Sequence, residues 1–177
     1  MRFVVIGTSG AGKSTLAQQL AHVTQGHHIE LDQLYWGPDW QAVPPEQFAQ
    51  AVDAATRAPR WVADGNYSAV RGLLWPRATH VVWLNFSRAT VFRRVLWRTL
   101  GRGLMRTRLS HGNRESLRMA LFSSDSILRW SWTTFDSNRV KFAALRNDPA
   151  CAHLDWTELR RPSECQALLA RWRHGDA

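Results

Sequence analysis

Phe3-Val4-Val5-Ile6-Gly7-Thr8-Ser9-Gly10-Ala11-Gly12-Lys13-Ser14-Thr15 is the stretch on which the reading of this chain turns. Phe3 to Ile6 is a continuous apolar run rich in β-branched residues, the pattern of a strand buried on both faces of a parallel sheet. Leu16-Ala17-Gln18-Gln19-Leu20-Ala21 follows with good helix propensity and apolar residues at i and i+4. Between them, Gly7 to Ser14 spells G-x-x-x-x-G-K-[ST] in the strand–loop–helix context that a phosphate-binding loop requires. Glycines let backbone N–H groups turn inward to phosphate oxygens with no Cβ in the way. The helix that follows adds its positive N-terminal end. Lys13 can reach the β- and γ-phosphates as a point charge, and Ser14 can give its hydroxyl to Mg²⁺. Gly7, Thr8, Ser9, Gly10, Ala11, Gly12, Lys13, Ser14 and Thr15 are therefore the expected cradle of a nucleoside triphosphate. The motif does not say which reaction follows.

Such a site needs a carboxylate at the end of another strand to hold the metal or its water. His28-Ile29-Glu30-Leu31-Asp32, after Gly26, reads as a second strand ending at Asp32. Arg60-Trp61-Val62-Ala63-Asp64 reads as a third strand ending at Asp64, with Gly65 opening the next loop. A parallel sheet puts all strand C-termini at one edge, so both aspartates can face the loop; Asp also favours caps and turns, which is the competing reading. Thr79–Phe86 reads as a fourth strand and Ala152–Trp156 as a fifth. Strands alternating with helical stretches predict an α/β fold of the P-loop NTPase type, a three-layer arrangement around a five-stranded parallel sheet. Pro44-Pro45-Glu46 opens a helix carrying Phe48, Val52 and Ala55. A long helix after Ser124 is expected to present Leu128, Trp132, Phe135 and Phe142 on one face and to end near Asn147-Asp148-Pro149. Just past Asp32, Tyr35, Trp36 and Trp40 stand with Gly37 and Pro38. This aromatic loop can wall an acceptor pocket or serve as satellite core. Asn66 and Tyr67 can add hydrogen bonds there.

The chain has 177 residues, 45% of them hydrophobic, which suits one domain with a packed core. Lys plus Arg number 23 against 14 Asp plus Glu, a net charge of +9 that invites an anionic partner. Two cysteines, Cys151 and Cys165, make neither a disulfide framework nor a zinc spacing, so a cytoplasmic home is expected. No apolar run reaches the roughly 20 residues of a membrane span, and the N-terminus lacks the form of a signal peptide. The seven histidines form no spaced metal set and read as structural or surface residues. Mapped along the chain, the charge is local: nine arginines and one acid, Glu115, lie between Arg88 and Arg118, leaving a nearly neutral remainder. Gly101-Arg102-Gly103 reads as a break in the helix that opens this stretch, placed as a hinge would be. Arginine forks suit the charge that develops in phosphoryl transfer, and closing them over a site excludes water. The segment about 88–118 is thus a candidate arginine-rich helical lid. Arg94, Arg98 and Arg102 are the leading clamp residues, Arg93, Arg106 and Arg108 follow, and Arg139 is a further phosphate contact. A solvated basic face is the plainer reading of any one of them. Two rivals stand beside a kinase: a regulatory P-loop ATPase, and a basic nucleic-acid-binding protein, which would spread its charge along a surface stripe. The guanine-reading N-K-x-D is absent from the sequence, which argues against GTP.

Several of these segments carry a resemblance. Gly7–Thr15, Leu31-Asp32-Gln33-Leu34-Tyr35-Trp36, Trp61-Val62-Ala63-Asp64-Gly65-Asn66-Tyr67-Ser68, Val82-Trp83-Leu84, Asn113-Arg114-Glu115-Ser116 and Leu159-Arg160-Arg161-Pro162 together resemble the small P-loop kinases of the adenylate-kinase type. The likeness is greatest to bacterial adenylate-kinase-related or topology modulation proteins. It implies a single kinase domain over 1–177, with ATP phosphates on the P-loop and a small-molecule acceptor bound in an insert at about 33–60. It also implies Asp64 organising Mg²⁺, Asp32 contacting the acceptor hydroxyl or metal water, and the adenine at the loop after the last strand, where Arg160 can stack on it; Tyr35, Trp36, Asn66 and Tyr67 are the acceptor contacts that the residues themselves suggest. Relatives commonly carry an aspartate after the fourth strand, where this chain has Asn85. Asparagine cannot act as a base there, though it can hydrogen-bond locally.

Overall fold

The computed structural model describes residues 1–105 and 133–173, with side chains in the last helix before the gap described to Trp97. Arg106, Arg108, Asn113, Arg114, Glu115, Leu128 and Trp132 therefore lie outside the described residues, and of Arg98 and Arg102 only the backbone is described.

The first strand, β1 (Arg2–Gly7), leads through the glycine-rich loop into α1 (Lys13–Thr24). The strand β2 (His27–Glu30) is followed directly by a short helix, α2 (Leu31–Tyr35), then by α3 (Pro45–Ala55) and β3 (Trp61–Asp64). Next come α4 (Arg71–Leu74), β4 (His80–Leu84) and α5 (Arg88–Met105). After residue 132 the chain continues as α6 (Phe135–Arg146), β5 (Asp155–Leu159) and α7 (Glu164–Arg173). The five strands form one all-parallel sheet in the order β2-β3-β1-β4-β5.

Strand alternation divides the core into two layers. Phe3, Val5, Val62 and Val82 pack on one face with Leu16 and Leu20 of α1, Val91 and Val95 of α5, and Leu168 and Trp172 of α7. Val4, Ile6, Ala63, Val81 and Trp83 pack on the other with Phe48 and Val52 of α3, Leu74 of α4 and Phe142 of α6. Val4 and Val5 are fully buried on opposite faces of the central strand, as a sheet covered on both sides demands. The fold is thus the expected α/β P-loop arrangement. Phe135 and Phe142, expected on one helical face, serve different layers.

Three expectations are corrected. The second strand stops at Glu30, and Asp32 sits in the first turn of α2. Leu31, Leu34 and Tyr35 have helical spacing and turn toward α3 and the core, which closes the strand early. The fifth strand is Asp155–Leu159, later than Ala152–Trp156. Asp148 caps a 3₁₀ turn at Pro149–Cys151 by accepting from the Ala150 N–H at 2.9 Å, and this turn occupies the segment just ahead of the strand. Finally, α5 runs through Gly101 and Gly103 to Met105. Glycine in a helix interior costs only about 1 kcal/mol against alanine, which weakens a helix without ending it.

No helix among the described residues is long and apolar enough to cross a membrane.

Candidate functional site

The site lies at the C-terminal edge of β1 and β3. Gly10 and Gly12 carry φ of 85° and 96°, a region that side chains with a Cβ avoid. The Ala11 N–H closes the turn on the Thr8 carbonyl at 3.0 Å, and the Ala11 side chain is fully buried. Lys13 opens α1 with its Nζ 3.5 Å from the Thr8 carbonyl. Gly7 and Thr15 bound the loop, with Thr8 buried and Ser9 partly exposed.

The loop is tied to the rest of the site from three directions. The Ser14 hydroxyl donates to Asp64 Oδ2 at 2.5 Å, linking α1 to the end of β3. Asn66, just past Gly65, donates its Nδ2–H to the Gly7 carbonyl at 2.7 Å. From above, the Arg94 guanidinium on α5 donates to the Ala11 carbonyl at 2.7 Å and lies over the Phe86 ring at 5.2 Å. The rest of its fork has no hydrogen-bond partner among the described residues. Asn66, expected on the acceptor side, thus braces the phosphate loop.

Asp64 is nearly inaccessible at 3% exposure. Its second oxygen, Oδ1, lies 2.9 Å from His28 Nε2. A carboxylate offers no proton at neutral pH, so the imidazole N–H is the donor. The sheet register explains the meeting: Glu30 is the direct neighbour of Asp64 across the β2–β3 ladder, and His28 stands two residues back on the same face. His28 and Glu30 are the residues that sequence reasoning missed. Their alternation was visible in the sequence, but the strand order that sets them beside Asp64 was not. Burial first, then the charges of Asp64 and Asp32, hold the Glu30 carboxyl above the usual glutamate range, although Gln33 donates to it at 2.5 Å.

Asp32 is exposed in the first turn of α2. Tyr67 donates its hydroxyl to Asp32 Oδ1 at 2.6 Å. Burial, followed by this carboxylate, pushes the Tyr67 phenol far above its usual range. The Asp32 Oδ2 has no protein partner among the described residues. The Tyr35 ring lies 4.7 Å from Trp36, edge to face, and 4.7 Å from Tyr67, tilted, and Trp40 meets Trp36 at 6.1 Å. Phe48 anchors this cluster from α3, 5.2 Å from Tyr35 and from Tyr67. The aromatic loop therefore packs as satellite core through Phe48, and its rings continue outward to the exposed Trp40.

At the far end of the same sheet edge, a cleft of about 670 Å³ opens beside β4 and β5, with Trp83, Asn85, Arg139, Arg146, Glu158 and Arg160 in its walls. Arg160 follows β5 and pairs with Glu158 at 2.9 Å. The Asn85 amide donates to Glu158 at 2.7 Å, while its own Oδ1 is buried without a partner among the described residues. Arg139 lies over Phe135 at 5.8 Å. Among the described residues no group of three or more His, Cys, Asp or Glu side chains is placed to hold a metal by itself. The oxygen donors of Ser14 and Asp64 do suit a hard cation that draws its remaining ligands from phosphates and water.

No protein-family model matches the chain, and no curated protein matches it. Among solved structures, a gluconokinase from Sinorhizobium meliloti 1021 aligns at 17% identity and a TM-score of 0.49, covering 98% of this chain and 94% of its own. A protein from Chloroflexus aurantiacus, whose description as a kinase is itself provisional, aligns at 14% identity and a TM-score of 0.53, covering 98% and 96%. The second likeness shows the shared fold.

Proposed function

We propose that this protein is an ATP-dependent small-molecule kinase that transfers a γ-phosphoryl group to an acceptor hydroxyl. The observation that carries the reading is the Ser14–Asp64 hydrogen bond, which brings the two hard-oxygen donors of a magnesium–nucleotide site together under a glycine-rich loop. Ser14 and Asp64 would hold Mg²⁺, which when bound neutralises charge on the β- and γ-phosphates.

In this reading the loop from Gly7 to Thr15 cradles the phosphates, and Lys13 follows the charge onto the leaving oxygen. Arg94 already stands over the loop, with most of its fork unengaged among the described residues, in position to meet a phosphate oxygen. Arg98 and Arg102 are the further clamp candidates of the lid proposed over about 88–118. The acceptor sits in the insert at about 33–60, against Tyr35, Trp36 and Tyr67, with its hydroxyl directed to Asp32 Oδ2. Its oxygen attacks the γ-phosphorus, the bond to the β–γ bridging oxygen breaks, and the hydroxyl proton passes to Asp32. Tyr67 holds the other Asp32 oxygen and fixes the carboxylate plane. The adenine occupies the cleft bounded by Asn85 and Arg160. This is the adenylate-kinase-like arrangement that the sequence suggests.

Asp32→Asn tests the reading. General-base removal costs about 100- to 10,000-fold in rate, so transfer should fall by that order while ATP affinity stays near wild type. Equal losses in both would place Asp32 on the metal and remove it as the base.

A further inference from the structure

His28 belongs to none of the roles above, yet it holds the carboxylate on which the nucleotide site is built. Asp64 has two oxygens and, among the described residues, two side-chain partners. Oδ2 takes the Ser14 hydroxyl at 2.5 Å, and Oδ1 takes His28 at 2.9 Å. The partners differ in where they are anchored. Ser14 belongs to the loop–helix junction that receives the phosphates. His28 belongs to β2, whose ladder with β3 pairs His28 with Val62 and Glu30 with Asp64. The Asp64 side chain is 4% exposed and that of His28 22%, so water has little access to Oδ1 and the imidazole supplies the hydrogen bond that burial would otherwise deny it. A carboxylate held at one oxygen can still rotate about its terminal torsion, which is broad and soft. Held at both, it has one orientation.

We propose that His28 is a positioning residue that sets the plane of the Asp64 carboxylate for the metal–nucleotide complex, fixing it from the sheet independently of the phosphate loop. The inference rests on the magnesium–nucleotide half of the proposed function and needs nothing from the acceptor half. Partners of this kind, standing behind a metal-facing carboxylate, typically contribute 10- to 100-fold in metal affinity.

The test is ATP binding by the full-length protein, followed by calorimetry in saturating Mg²⁺ and again in EDTA, for wild type, His28→Gln and His28→Leu. His28→Leu should lose about 10-fold or more of the Mg²⁺-dependent gain in ATP affinity, with metal-free affinity unchanged. His28→Gln keeps an N–H donor and should retain most of that gain. Manganese binding in the presence of ATP, read by electron paramagnetic resonance, should follow the same order. If His28→Leu does not fold, His28→Asn, too short to reach Oδ1, takes its place against His28→Gln. Equal loss with and without Mg²⁺, or no loss, overturns the proposal. If Mg²⁺ strengthens ATP binding by wild type but the variants match it, the positioning role alone fails. If Mg²⁺ has no effect on wild type, the proposed function fails with it.

Discussion

Replacing Gly10 by alanine probes how the phosphate loop is held beneath α5. A Cβ at Gly10 would lie 2.0 Å from Val95 Cγ2 and 3.8 Å from Val91 Cγ1, with φ at +85°. Val95 is fully buried in the layer that also holds Leu16 and Phe86, so it has no free volume into which to retreat. The left-handed backbone costs a residue with a Cβ about 1–2 kcal/mol, and overpacking a filled core adds about 1–3 kcal/mol. The sum, about 2–5 kcal/mol, lowers Tm by roughly 4–20 °C at about 2–4 °C per kcal/mol for a chain of this length. Urea unfolding followed by tryptophan fluorescence reads the loss directly. The decisive variant is the double mutant with Val95→Ala. Truncating Val95 alone removes two methyl groups, costing about 2 kcal/mol from lost burial, but in the Gly10→Ala background it also removes the clashing atom. The two changes should therefore couple favourably by about 1–3 kcal/mol. Additivity within about 0.5 kcal/mol, the behaviour of independent sites, would refute the packing of α5 on the loop.

Two further outcomes follow from the geometry. Tyr67→Phe removes the hydroxyl that donates to the Asp32 carboxylate; a hydrogen bond to a charged group is worth about 1.5–3 kcal/mol, so steady-state kinetics should show transfer slowed by about 10- to 150-fold with ATP affinity unmoved. Glu158 is held below the ordinary glutamate value of 4.5, first by Arg160 and then by Asn85 and Arg146. A depressed acid stabilises the fold above its unfolded value and loses that contribution as pH falls through the folded one. Wild type should thus melt above Glu158→Gln at neutral pH, and the difference should shrink below pH 4.5 in a series of thermal melts.

The phosphate loop was legible because its chemistry is local: two glycines at positive φ, a lysine and a serine must follow one another in sequence. Asp64 is legible because the short apolar run Trp61-Val62-Ala63 marks the strand it ends. The alternation of His28, Glu30 and Asp32 hides the helical spacing of Leu31, Leu34 and Tyr35, so the sequence extends the second strand to Asp32. Asp155, Thr157 and Glu158 make the true fifth strand look polar, so the sequence favours an earlier position. Its Glu158 is tolerated at that depth by Asn85 after β4, Arg146 at the end of α6 and Arg160 just past β5 itself. The role of His28 needed the strand order, in which β2 lies beside β3 and not beside β1. Nothing in a single sequence states that neighbourhood. The charge excess behaves differently again, since its mapping onto 88–118 needs only counting. Within it, Arg94 is the arginine whose side chain the structure sets against the loop.

The central claim is phosphoryl transfer through the glycine-rich loop. Its most direct measurement is transfer of label from γ-³²P-ATP across a panel of nucleotides, nucleosides and small alcohols, run in parallel with Lys13→Ala. The account predicts acceptor-dependent appearance of labelled product with the wild-type protein, and its loss in Lys13→Ala while that variant keeps its fold and melting transition. Undiminished transfer by Lys13→Ala, or release of inorganic phosphate at a rate no acceptor changes, would contradict it.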